Sequence, residues 1–359
     1  MIAPNSRMRS GRTAITVLIS ITTRPMCRPL CWLPAVALFT IACLPDRAIV
    51  GSAAGDVAPA ARDRTASLAL DRLTKRRPLL NGQAPRDGTG QGVTIYVFDG
   101  GIAATHPELA GRVRAGFDAY PGAQRVCNSH GTAVAGAAAG RQLGVAPEAE
   151  IVDVKIFQCG SLRSTPGAIV AAARWTAADR ALNPQRAAIA NWSFIVDTMR
   201  SIPAIDTALA ILREARVLVV ASAGNFDIDA CRVWPVDTRG VVVVGASTLV
   251  RGDSQTPWRD VREPETAWGR CVDMYAPGEF TLRTDIRTGR AADIWDGTSV
   301  AAGFASGAAA LLYERRPLAE PAEIVRALRR LATDSLVDER VPTGCAGRGR
   351  MLYIGGPER

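Results

Sequence analysis

From Val93 onward the apolar positions follow two alternating patterns. Short, nearly continuous apolar runs occur at VTIYVFD (93–99), AEIVDVKIF (149–157), AAIANWSF (187–194), RVLVVASAGN (216–225) and GVVVVGAS (240–247). Between and after them lie longer stretches in which apolar residues are spaced: HGTAVAGAAAG (130–140), GAIVAAARWTAADRAL (167–182), PAIDTALAILREA (203–215), SVAAGFASGAAALLYERR (299–316) and PAEIVRALRRLA (321–332). The continuous runs predict strands buried on both faces, and the spaced stretches predict helices. Repeated alternation of the two predicts an α/β fold, a parallel β-sheet flanked by helices on both faces. No internal repeat or low-complexity tract interrupts the pattern, and one domain is expected over 66–357.

In open α/β sheets, ligands bind beyond the carboxyl ends of the strands. That rule singles out Asp99, at the end of the first run, and Asn225, just after RVLVVASAG. It also singles out His130 and Ser299, which open helices. Taken one at a time, each has an ordinary role. Ser299 reads as a helix N-cap, His130 as a helix-end histidine bonded to backbone, Asp99 as a strand-end cap, and Asn225 as a turn residue after Gly224. The chain has only two histidines, and His106, in THPEL, reads as part of a surface turn.

Taken together, the four fit acyl transfer. A serine hydroxyl becomes a nucleophile when a base takes its proton, and histidine supplies that base near neutral pH. A carboxylate orients the imidazole, and donors must meet the developing oxyanion.

The remaining composition narrows the setting. The formal charge is +9, but Arg7, Arg9, Arg12, Arg24, Arg28 and Arg47 fall in the first fifty residues against Asp46 alone, leaving +4 for the rest. That balance, without basic blocks interleaved with aromatics, gives no reason to expect a nucleic-acid partner. The TKRRP run at 74–78 reads as a solvated turn. Residues 1–45 read as a signal peptide or membrane-targeting segment: arginines lead into LCWLPAVALFTIACL (30–44), too short to span a membrane comfortably. GSAAG (51–55) offers a cleavage site, and 46–65 read as a linker or short pro-segment. Export to the periplasm or medium is expected, with no stable membrane domain after signal removal. Lipid attachment at Cys43 is the less favoured alternative. Five cysteines lie beyond the leader: Cys127, Cys159, Cys231, Cys271 and Cys345. In an oxidising compartment they are expected to form disulfides, with at least one left over.

The segments carrying these residues resemble those of the subtilisin-like serine peptidases, most nearly the secreted branch that includes proteinase K and aqualysin. VTIYVFDGGI (93–102) is similar to the family's aspartate segment, NSHGTAVAG (128–136) to its histidine segment, ASAGN (221–225) to its asparagine segment and DGTSVAA (296–302) to its serine segment. The likeness runs from about Leu68, in LALDRL (68–73), to Gly356. It implies a subtilisin-like three-layer sandwich and a serine endopeptidase acting on protein or peptide substrates. By resemblance Asp99 orients His130, His130 is base and then acid, Ser299 attacks, and the Ser299 N–H with the Asn225 side chain holds the oxyanion. Trp192, Ser193, Phe194 and Ile195, with Ser222, Ala223 and Gly224, would line the substrate. The cysteines would pair as Cys127–Cys159 and Cys231–Cys271. No cofactor is needed for the chemistry, but a structural calcium is implied at Pro235, Asp237 and Asp273, where carbonyl and carboxylate oxygens suit a hard cation.

Four departures from the family pattern stand out. Gly100 replaces a Thr or Ser beside the aspartate. NWSFIV (191–196) puts Ile195 and Val196 where the family has two glycines, which predicts a narrowed P1 pocket taking a small or slender residue. VAAGFASG (300–307) puts Gly303 and Phe304 where the family has Pro and His, so packing behind the serine must differ. The stretch between leader and domain is far shorter than the family's folding prodomain, so the protein folds without one or a separate folding or inhibitor chain helps. The departures leave two alternatives open. One is a catalytically degenerate fold serving as a peptide-binding or interaction module. The other is an acyl transferase or ligase built on the same triad.

Overall fold

The structure is a computed structural model that describes residues 68–122, 124–196, 202–233, 240–254, 257–283, 292–341 and 344–355. The expected leader and linker, and with them Cys43, lie outside the described residues. In chain order the elements are α1 (Leu68–Leu73), β1 (Val93–Asp99), β2 (Val113–Asp118), α2 (His130–Ala139), β3 (Glu150–Lys155), α3 (Pro166–Leu182), β4 (Ala187–Trp192), α4 (Pro203–Glu214) and β5 (Val217–Ser222). They continue with β6 (Val241–Arg251), β7 (Trp258–Arg262), β8 (Met274–Pro277), β9 (Phe280–Arg283), β10 (Ala292–Trp295), α5 (Thr298–Arg315) and α6 (Pro321–Leu331).

The main sheet has the order β2-β3-β1-β4-β5-β6-β7, with β8 also paired to β6. All its pairings are parallel except β6 with β7. Strands β1, β4 and β5 are buried along their whole length, as expected for strands covered on both faces. Helices α2 and α5 pack together over the sheet, α6 packs on α5, and α3 packs with α4. The α/β architecture read from the apolar pattern is the one found.

Strand order reverses between β1 and β4. The connections from β1 lead to β3 and β2 on one side, whereas those from β4 lead to β5 and β6 on the other. A crevice forms at such a reversal, beyond the strand ends. Asp99 ends β1 on its rim.

Helices α2 and α5 approach closely because their facing residues are small. A β-carbon on Gly303 would lie 2.7 Å from the Val134 carbonyl oxygen, and one on Gly307 would collide with the Ala138 carbonyl. Larger side chains at these two positions would force the helices apart. Phe304, on another side of α5, is buried against Phe280 with ring centroids 6.1 Å apart.

The start of the domain is pinned by α1. Arg72 makes a bidentate pair with Asp260 of β7, both bonds 2.8 Å and both side chains 1% exposed. Asp71 accepts the N–H groups of Asn81 and Gly82 at 2.9 and 2.6 Å. Disulfides join Cys127 to Cys159 and Cys231 to Cys271, the pairing implied by the resemblance. Cys345 is buried and stands outside both. Among the described residues no helix is long and apolar enough to cross a membrane.

Candidate active site

Asp99 is 2% exposed, with both carboxylate oxygens engaged. Oδ1 accepts the Gly100 N–H at 2.6 Å, and Oδ2 lies 2.8 Å from Nδ1 of His130. The backbone therefore holds Asp99 at the position where Gly100 lacks the family's hydroxyl. Helix α2 can lie directly on the aspartate because Gly131 has no side chain. A β-carbon there would stand 3.0 Å from Asp99 Cβ and Cγ and 2.6 Å from the Gly101 carbonyl oxygen.

His130 is the first residue of α2, and its N–H donates to Asn128 Oδ1 at 3.1 Å. Its ring, 22% exposed, meets the Trp295 ring nearly at right angles, 81°, with centroids 5.1 Å apart. The Trp295 Nε1–H donates to Ser129 Oγ at 3.0 Å. Trp295, the last residue of β10, therefore touches both His130 and its neighbour.

Ser299 is not the N-cap of α5. That place belongs to Gly297, whose φ of +99° lies in the left-handed region that glycine tolerates. The Ser299 Oγ–H donates to the Ser193 carbonyl oxygen at 3.3 Å instead of capping a backbone N–H. Ser193 Oγ lies 2.9 Å from the Ser299 carbonyl oxygen and 2.8 Å from Asn191 Oδ1. Asn191 Nδ2 donates to Ser306 Oγ at 3.1 Å. Asn191 and Ser306 are completely buried, so the serine turn rests on a closed polar chain, which the low interior dielectric strengthens.

The α2–α5 register bears on how Ser299 and His130 stand to each other. Gly303 faces Val134 and Gly307 faces Ala138. Residues four apart share a helix face, so Ser299 and His130 each lie one turn back along these two faces.

Asn225 sits across this turn. Its Oδ1 accepts from Thr298 N at 3.1 Å and from Thr298 Oγ1 at 2.8 Å. A backbone N–H can only donate, which fixes the amide orientation and makes Nδ2 the donor end. A β-carbon on Gly297 would lie 2.6 Å from that Nδ2. Thr298 thus orients Asn225, and its Oγ1 also accepts the Gly224 N–H at 3.2 Å. Thr298 lies in DGTSVAA, but neither it nor Asn191, Trp295 or Ser306 carries a local sequence signal of its role, because their partners are distant in the chain.

The segments expected to line the substrate divide in two. The Trp192 side chain is entirely buried and packs on Phe98 and Phe194 at 5.7 and 5.2 Å, so it belongs to the core. The cause is strand alternation: Asn191 and Ser193 turn toward α5, so Trp192 between them turns to the opposite face, which is also covered. Phe194 is 8% exposed and stacks on Trp192 and Phe157, while Ser222 and Ala223 are buried at the end of β5. Ile195 reaches outward over Gly224, where its Cδ1 lies 2.6 Å from the place a β-carbon would occupy. Val196 is partly buried beside it.

Of the residues implied for calcium, Pro235 and Asp237 lie outside the described residues. Asp273 does not fit the role in this arrangement. Its Oδ1 pairs with Arg329 Nε and Nη2 at 2.8 and 2.6 Å, and its Oδ2 accepts the Val243 N–H at 2.9 Å. An arginine occupies the carboxylate that a cation would need. Among the described residues no group of three acid, histidine or cysteine side chains is placed to hold a metal.

Two buried acids near the site are perturbed. Burial pushes Asp153 up to about 6, opposed by its ion pair with Arg125 at 2.9 Å. Burial pushes Glu263 up to about 8, with Asp296, Glu279 and Glu265 adding like-charge repulsion.

The model of the Subtilase family matches residues 90–346. The chain is 33% identical over 274 residues to an extracellular serine proteinase of Thermus sp. (strain Rt41A), covering 76% of this chain and 63% of that protein. It is 31% identical over 274 residues to the alkaline serine exoprotease A of Vibrio alginolyticus, covering 76% and 48%. The chain thus spans between about half and two thirds of the length of these relatives. A crystal structure of a cold adapted subtilisin-like serine proteinase aligns with a TM-score of 0.68 at 28% identity, covering 81% of this chain and 99% of that one.

Proposed function

The chain belongs to the subtilase family, and we propose that it is a serine endopeptidase working through Asp99, His130 and Ser299. The observation that carries this reading is the 2.8 Å contact between Asp99 Oδ2 and His130 Nδ1, on a helix that packs against the one bearing Ser299.

In this reading Asp99 holds the imidazole with Nδ1 protonated, so Nε2 is the basic nitrogen. Ser299 Oγ turns from the Ser193 carbonyl toward His130, gives up its proton to Nε2 and attacks the scissile carbonyl. The oxyanion is met by the Ser299 N–H and by Asn225 Nδ2, held in place by Thr298. Both donors are oriented before the reaction begins, so they cost little reorganisation when charge develops. The N-terminus of α5 adds a favourable field. His130 then protonates the departing amine, and water releases the acyl group by the same route in reverse. The steps use only groups of this chain, and the substrate is a protein or peptide.

Ile195 over Gly224 supports a P1 pocket restricted to small side chains. It also favours the competing reading of a non-catalytic peptide-binding module, because a filled pocket impairs turnover as readily as it narrows it. We propose that the protein acts outside the cytoplasm, consistent with the extracellular proteinase named among its relatives and with its two disulfides.

Hydrolysis of peptides varied at P1 tests the reading. Cleavage after Ala or Gly is expected, with a loss on the order of 10⁶ in kcat for Ser299→Ala. Peptide binding without turnover in the wild type would establish the module instead.

A further inference from the structure

We infer that Trp295 is a positioning residue for His130, keeping the imidazole aligned while it passes a proton from Ser299 to the leaving amine. The inference rests on the endopeptidase reading above and adds a residue to it.

The Asp99 contact fixes the ring at Nδ1, 2.8 Å from the carboxylate oxygen. The proton transfer uses the opposite edge of the ring, where a small pivot displaces Nε2 most. Trp295 supplies a second point of contact, its ring close to perpendicular to the imidazole at 5.1 Å.

Trp295 is itself fixed at both ends. Its Nε1–H donates to Ser129 Oγ at 3.0 Å, tying it to the residue before His130. Its backbone ends β10 in register with Phe280 of β9, and Phe280 is buried against Phe304 of α5, the helix that carries Ser299. One aromatic side chain thus links the serine arm to the histidine helix. Phe304, one of the departures from the family pattern, anchors the ribbon that presents it.

The chemistry gives this role its own signature. An amine leaves only when protonated, so amide cleavage needs His130 twice, as base and then as acid. A p-nitrophenolate leaves without a proton, so acylation by an activated ester needs the histidine only as base, while deacylation, which needs it as base and then as acid, is common to both substrates. A loosened imidazole therefore harms amides more than activated esters, whereas general damage to the fold lowers both alike.

The test measures kcat and KM on a peptide amide and on the p-nitrophenyl ester with the same acyl part, for the wild type, Trp295→Leu, Trp295→Phe and Ser129→Ala. Trp295→Leu is expected to lower kcat/KM, which reports acylation, on the amide by about tenfold or more and on the ester by no more than about threefold. Trp295→Phe keeps an aromatic ring and is expected to recover the amide rate to within about threefold of wild type. Ser129→Ala, which releases the indole N–H, is expected to show a smaller loss confined to the amide. Equal losses on both substrates, or none, overturn the inference. If Trp295→Leu fails to fold by thermal melting, Ser129→Ala decides, and absence of an amide-selective loss overturns it. A folded wild type that cleaves neither substrate refutes the endopeptidase reading and this inference together. An active wild type with an unchanged amide-to-ester ratio in the variants refutes the inference alone.

Discussion

Gly303 lies against the carbonyl oxygen of Val134 so closely that a β-carbon would stand 2.7 Å from it. This contact fixes α5, which carries Ser299, against α2, which carries His130. Gly303→Ala should therefore push the serine turn away from the histidine. Alanine gains helix propensity of about 1 kcal/mol over glycine, but overpacking against backbone costs about 1–3 kcal/mol. The expected outcome is unchanged or reduced stability with at least about a tenfold loss of kcat/KM. Gly167→Ala is the control: it lies in the first turn of α3 and would meet nothing closer than 4.0 Å. It should keep full activity and melt no lower than wild type.

Ile195 is placed to control specificity. In Ile195→Gly the space over Gly224 opens, and peptides with Phe or Tyr at P1 should gain relative to those with Ala. A ratio of kcat/KM values shifted by about tenfold or more is expected, since each methylene accommodated is worth about 1–3 kcal/mol. A wild-type preference for large aromatic P1 residues would show that Ile195 swings aside, and the narrowed pocket would be abandoned.

Glu263 makes stability depend on alkaline pH. Its folded pKa is raised to about 8 from an ordinary carboxylate value of 4.5, so the folded state keeps a proton that the unfolded chain has released. Stability must then fall as pH rises between those two values and level off above the upper one. Glu263→Gln should abolish this contribution and leave the variant the more stable of the two at pH 9. Urea melts of both proteins at pH 5, 7 and 9 check the sign.

The Cys127–Cys159 bridge closes a loop with a sequence separation of 32, and Cys127 N–H donates to the Gly100 carbonyl at 2.9 Å, next to Asp99. Replacing both cysteines by Ala should cost about 3–4 kcal/mol by the chain-entropy rule for such a loop. A correspondingly lower urea midpoint is expected, together with a lower kcat from a less fixed Asp99. Intact mass under non-reducing conditions should show four hydrogens fewer than the fully reduced chain.

Much of this was legible in the sequence because the relevant signals are local. β1, β4 and β5 announce themselves by unbroken apolar runs, and Asp99, His130, Asn225 and Ser299 stand at the ends of such elements. Strand β2 escaped notice because it is a half-exposed edge strand with mixed residues, VRAGFD, and β7, β8 and the β9–β10 ribbon are too short to show a period. The roles of Thr298, Asn191 and Trp295 depend on partners 73, 115 and 166 residues away, and no periodicity reports such pairs. Trp192 misled for the opposite reason. Its neighbours Ser193 and Ile195 face the site, but strand pairing turns the indole into the core. Asp273 looked available for a cation because Arg329, 56 residues on, carries no mark in sequence of the carboxylate it occupies.

The most direct test of the central claim is covalent. Exported, folded protein is treated with a fluorophosphonate probe, and the labelled residue is mapped by mass spectrometry. Labelling at Ser299, lost in His130→Ala and strongly slowed in Asp99→Asn, is the predicted result. Absence of label on the folded wild type, or label that persists without His130, would contradict an activated serine and with it the proposed endopeptidase.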